Sequence, residues 1–162
     1  MNLLRRIGLT SALLVVLVGG IGAVPASAGV LPGMPACSTS NLVGHYTSGG
    51  AGVAELDLYW DATHRTNCVK MVHLGAAVGH AASTKVEIWT CQTNTAGQDC
   101  DPINDLQKPP YYGSDSGSYT NYAGPASVTG AGHCIYATGT LVWAGVERII
   151  STAPSGKASH CD

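Results

Sequence analysis

The chain has 162 residues, 11% of them charged, with eight basic residues against ten acidic ones and a formal net charge of −2. That balance, with no cluster of Lys or Arg after Arg6, argues against nucleic acid and anionic membrane as partners. The 21 glycines and the absence of Phe point to one small domain with a light core of Leu, Val, Ile, Ala, Trp and Tyr, which disulfides would have to support.

Residues 1–28 read as a secretory signal peptide. Arg5 and Arg6 form a short basic n-region, Ile7 to Val24 is an uncharged apolar run, and Ala26-Ser27-Ala28 supplies the small residues that a signal peptidase reads. The run is long enough to span a bilayer, but Gly19, Gly20, Gly22 and Pro25 interrupt it. Cleavage is therefore expected, without stable membrane insertion, leaving a single secreted β-domain over residues 29–162.

In an oxidising compartment the six cysteines, Cys37, Cys68, Cys91, Cys100, Cys134 and Cys161, read as three disulfides whose connectivity the sequence does not choose. Spacing suggests Cys91 with Cys100 around a polar loop, Cys68 with Cys134 between neighbouring strands, and Cys37 with Cys161 across the termini. No Cys-x-x-Cys pair supports zinc.

After Val30 no apolar helical period is sustained, and β-branched and aromatic residues come in short runs broken by Gly, Asn and Ser. In Ala54 to Trp60, Leu56, Leu58 and Trp60 alternate with Glu55, Asp57 and Tyr59, which predicts a strand with one apolar and one wet face. A polar turn over Asp61 to Asn67 leads into a return strand, Cys68 to His73. Lys85 to Cys91 alternates likewise, with Val86 and Ile88 opposite Glu87 and Trp89. Gln92 to Ser118, rich in Pro and Gly, reads as a long irregular loop with one helical turn at Pro102 to Gln107. Strands return at Ala126 to Thr129, after the Gly130-Ala131-Gly132 turn at His133 to Thr138, and over Thr140 to Ile150. The tail from Ser151 to Ser159 is polar and is expected to be held by Cys161 alone. The fold class predicted is all-β: a small disulfide-stapled antiparallel β-sandwich or barrel, preceded by a signal-peptide helix.

Chemistry is sparse. Ser114-Asp115-Ser116-Gly117 resembles the nucleophile loop of trypsin-like proteases, but the flanking context is missing, and beside Pro109 and Pro110 it reads as a turn. Glu55 and Asp57 read as the solvated side of a strand rather than a glycosidase pair. The six histidines, His45, His64, His73, His80, His133 and His160, fall in no metal-binding motif. No catalytic residues, cofactor or metal ligands are therefore assigned. Tyr111, Tyr112, Tyr119 and Tyr122 are the candidate binding surface, since Tyr rings combine contact area with a polar tip.

The segments Thr66-Asn67-Cys68-Val69, Ser118-Tyr119-Thr120-Asn121-Tyr122-Ala123-Gly124-Pro125 and Gly132-His133-Cys134-Ile135, in this order, resemble the small secreted proteins of filamentous bacteria typified by spore-associated protein A. The likeness runs from about Val53 to Gly145. It implies an exported, non-catalytic, spore- or cell-surface-associated protein and brings no catalytic residues with it. The reading that follows is a β-domain acting by binding or as a structural component, with an extracellular protein or cell-wall component as partner. The alternative is a secreted protease inhibitor that uses the Cys91–Cys100 loop, preorganised by its disulfide.

Overall fold

The computed structural model describes residues 37, 42–48, 52–103 and 109–161. The signal segment and most of the expected helical turn at Pro102 to Gln107 lie outside these residues. The described chain forms eight strands: β1 (Leu42–Thr47), β2 (Ala54–Asp61), β3 (Thr66–His73), β4 (Ala82–Thr90), β5 (Tyr112–Tyr119), β6 (Tyr122–Thr129), β7 (Ile135–Trp143) and β8 (Val146–Ser151). They make two antiparallel four-stranded sheets, ordered β1-β2-β3-β6 and β5-β4-β7-β8. This is the sandwich of the two expected forms.

Alternation builds the core, as period-two patterning requires. Leu56, Leu58, Val69 and Met71 of the first sheet pack against Val86, Ile88, Ala137 and Leu141 of the second, all fully buried. Small side chains, including Ala123, Ala126 and Ala137, fill much of the rest, and partly buried Tyr46, Tyr119 and Trp143 pack against it, while Trp60 and Trp89 also remain partly exposed. Gly139 on β7 explains how two sheets meet so closely. A Cβ there would run into Met71 Sδ and lie 3.1 Å from Leu56 Cδ1.

The β2–β3 hairpin forms in the expected place, turning at residues 62–65. Other expectations are corrected. The stretch read as loop to Ser118 contains β5, which pairs along β4 from Tyr112 to Tyr119, so Ser114 to Gly117 is strand rather than turn. Pairing to β4 supplies what the Ser- and Gly-rich local sequence does not. Strand β6 begins at Tyr122, and Gly124-Pro125 lies inside it, where its register against β3 shifts between Val69 and Met71.

The Ser114-Asp115-Ser116-Gly117 carboxylate has a structural task. Asp115 is 6% exposed; its Oδ1 accepts from Tyr119 Oη at 2.6 Å and its Oδ2 from the Gly124 N–H at 2.6 Å. It thus joins β5, the edge of one sheet, to β6, the edge of the other. Along the same seam Thr90 Oγ1 donates to the Thr129 carbonyl at 2.6 Å. Gly113 lets the backbones approach, since a Cβ would stand 2.6 Å from the Ser127 carbonyl oxygen.

The disulfides are Cys37–Cys68, Cys91–Cys100 and Cys134–Cys161. The local staple is as expected; the other two pairings are not. Cys68 faces outward from the first sheet, opposite Tyr59, where it meets Cys37, whereas Cys134 precedes β7 in the second sheet and meets the tail. Each bridge contributes on the order of 2–4 kcal/mol by restricting the unfolded chain. The tail is held by more than Cys161. Ser159 pairs with Ile135 and Lys157 with Asp99, Thr152 exchanges hydrogen bonds with Ala137, and Ala158 is buried with Cys91 and Cys134 in a small second core.

Two consequences can be measured. Gly139→Ala overpacks the sheet interface and is expected to lower stability by about 1–3 kcal/mol, read as a lower urea midpoint with an unchanged slope. Burial, then the hydrogen bond and charge of Asp115, push the Tyr119 phenol up to about 12. Because the folded state holds that proton more tightly, its contribution is full below the ordinary value of 10 and is lost as the pH rises towards 12. A spectrophotometric tyrosine titration should show high-pH phenols, one fewer in Tyr119→Phe.

Candidate functional site

Strand alternation on β4 buries Thr84, Val86 and Ile88 and turns Ser83, Lys85, Glu87 and Trp89 outward. Antiparallel register then lines up neighbours on three strands. Tyr112, Trp89 and Tyr136 form one row across β5, β4 and β7, followed by Ser114, Glu87 and Thr138, then by Ser116, Lys85 and Thr140. The Trp89 ring centroid lies 5.5 Å from that of Tyr112 and 5.9 Å from that of Tyr136. All three rings are partly exposed.

Polar groups border this aromatic row. Tyr112 Oη donates to Glu87 Oε1 at 2.8 Å, and Lys85 Nζ lies 2.8 Å from Glu87 Oε2. That hydrogen bond raises the Lys85 ammonium above its ordinary value, and burial raises the Tyr112 phenol. At the other end Tyr136 packs on the second core of Cys91, Cys134 and Ala158. The result is an apolar strip beside two rows of hydroxyls, a surface suited to ligands with both C–H faces and hydroxyl groups.

Of the four tyrosines expected to form a binding surface, only Tyr112 belongs to this row. Tyr119 turns into the β5–β6 seam, and Tyr111 is half-buried where β5 begins. Tyr122 is 46% exposed on the opposite sheet, under Lys70 Nζ at 5.2 Å from its ring centroid. Trp89 and Tyr136 were missed. The outward parity of Trp89 was visible in Lys85 to Cys91, but its meeting with Tyr136 depends on the pairing of β4 with β7.

The outer face of the first sheet also departs from expectation. Asp57 and Tyr59, placed on a wet face, are 7% and 5% exposed. Cys37 is bonded to Cys68 on this face, where the Cys37 carbonyl accepts from Lys70 Nζ at 3.3 Å. Asp57 sits between His45 Nδ1, 2.7 Å from Oδ1, and Tyr59 Oη, which donates to Oδ2 at 3.1 Å. Burial and then the Asp57 charge push the Tyr59 phenol up to about 12, and the same two causes raise Glu55, opposed by His45.

The histidines keep separate company. His64 pairs with Asp61 in the β2–β3 turn, His73 is buried with Nε2 2.7 Å from Thr84 Oγ1, and His80 lies against Trp143. His160 Nε2 is 3.1 Å from Tyr46 Oη and lines a cavity of about 210 Å³ with Val43, Trp60, Asn67 and Cys161. The Cys91–Cys100 loop directs its backbone inward: Gly97 N donates to the Ala158 carbonyl, Ala158 N to Gln98, and Cys100 N to Gly156. The loop's side chains from Asn94 to Asp99 remain exposed.

No protein-family model, curated protein or solved structure matches the chain.

Burial lowers the His160 imidazole below its ordinary 6.5. The unfolded chain therefore takes up the proton first, so stability from the neutral ring is full above about pH 6.5 and is lost on acidification. Thermal melts between pH 7 and pH 5 should show a steeper fall for the native protein than for His160→Gln.

Proposed function

We propose that this chain is an exported, non-catalytic β-sandwich that binds a polysaccharide of the cell or spore surface across the outer face of β5, β4 and β7. The row of Tyr112, Trp89 and Tyr136 carries this reading. Three neighbouring aromatic rings give a sugar's C–H face an apolar contact, and the Ser, Thr and Glu side chains in the next rows match its hydroxyls.

Export is supported by the tripartite leader pattern of residues 1–28 and by three disulfides, which persist in oxidising compartments. Among the described residues no helix is long and apolar enough to cross a membrane. The surface association agrees with the resemblance to spore-associated proteins carried by Ser118 to Pro125 and Gly132 to Ile135.

Purified protein should co-sediment with insoluble wall polysaccharide. Truncating an aromatic anchor costs on the order of 2 kcal/mol, so Trp89→Ala should bind about 30-fold more weakly. Equal binding by native protein and variant would overturn the assignment of the face, and recovery of the protein only from cytosol would overturn export.

A further inference from the structure

On the outer face of the first sheet, one imidazole and two carboxylates come together from adjacent strands. His45 on β1 stands directly opposite Asp57 on β2, with Glu55 two residues away on the same face. His45 Nδ1 is 2.7 Å from Asp57 Oδ1 and 3.8 Å from Glu55 Oε2, and one donor atom from each of the three lies within 4.8 Å of the others. A zinc-class ion bonded to N and O donors at about 2.0–2.2 Å needs its ligands at about this mutual spacing, so small side-chain adjustments suffice.

The surroundings suit a cation. The Asp57 and Glu55 side chains are only 9% and 21% exposed, whereas His45 is 55% exposed. The two carboxylates are therefore largely covered, and the open side faces solvent. Tyr59 Oη occupies Asp57 Oδ2 and holds Oδ1 towards the cluster, the outer partner that metal-binding carboxylates commonly have. Lys70, opposite Asp57 on β3, directs Nζ to the Cys37 carbonyl and over the Tyr59 and Tyr122 rings.

We propose that His45, Glu55 and Asp57 bind one divalent transition-metal ion, with solvent completing its coordination, and so pin the edge strand β1 to β2. The imidazole nitrogen favours zinc-class ions over calcium and magnesium, which take oxygen ligands. Binding uses the Nδ1 lone pair of the neutral His45 ring, whose one proton then sits on Nε2, and no other bond is made or broken in the protein.

The test is calorimetric titration of the chelator-treated, disulfide-intact protein with zinc chloride near pH 7, with calcium chloride as comparison. One zinc per chain is expected, and no calcium binding. His45→Ala and Glu55→Gln should each weaken zinc binding tenfold or more, while His64→Ala, which removes the exposed turn histidine, should not. In the native protein the His45 Nδ1 nitrogen resonance should shift on zinc addition, a readout independent of how the variants fold. Absence of zinc binding below millimolar concentration, or binding that leaves the His45 resonance and both variants unaffected, would overturn the proposal.

Discussion

The sandwich depends on the corner where the chain passes from β5 in one sheet to β6 in the other, and that corner is held by the Asp115 carboxylate. A buried ionised group is tolerated only when its lone pairs are met. Here Tyr119 and the Gly124 N–H meet both oxygens. Hydrogen bonds to a charged acceptor contribute about 1.5–3 kcal/mol each, and leaving such an acceptor unsatisfied costs more. The carboxylate therefore enforces a single arrangement of the two edges, with Gly113 providing the space for it.

With that edge closed and the core made of small and medium side chains, the two outer faces are free to differ. On the first sheet Cys37 is bonded to Cys68, and Asp57 and Tyr59 are buried beside the His45 cluster. Among the described residues, the second is roofed at one end by the tail and the Cys91–Cys100 loop. Its remaining surface is left to the aromatic row and the hydroxyls beside it.

Much of the architecture was legible where local pattern and tertiary environment agree. Val86 and Ile88 face the core as their alternation requires, the β2–β3 hairpin turns at its polar residues, and Cys91 pairs with Cys100 across a short polar loop. Reading failed where a neighbour overrules the local signal. Strand β5 has the composition of a loop, yet β4 supplies its hydrogen bonds. Asp57 and Tyr59 have the alternation of a wet face, yet they are buried, with Asp57 held by His45 and Tyr59.

The sequence by itself determined the all-β class, the strand faces that build the core and the presence of an even set of cysteines, because period-two hydrophobicity and residue chemistry are local properties. Tertiary structure alone decided the pairing of Cys37 with Cys68 and of Cys134 with Cys161, the union of Trp89 with Tyr112 and Tyr136, and the convergence of His45 with Glu55 and Asp57. Each of these depends on which strands become neighbours and in what register. A one-residue slip in register would turn the same side chains to the opposite face.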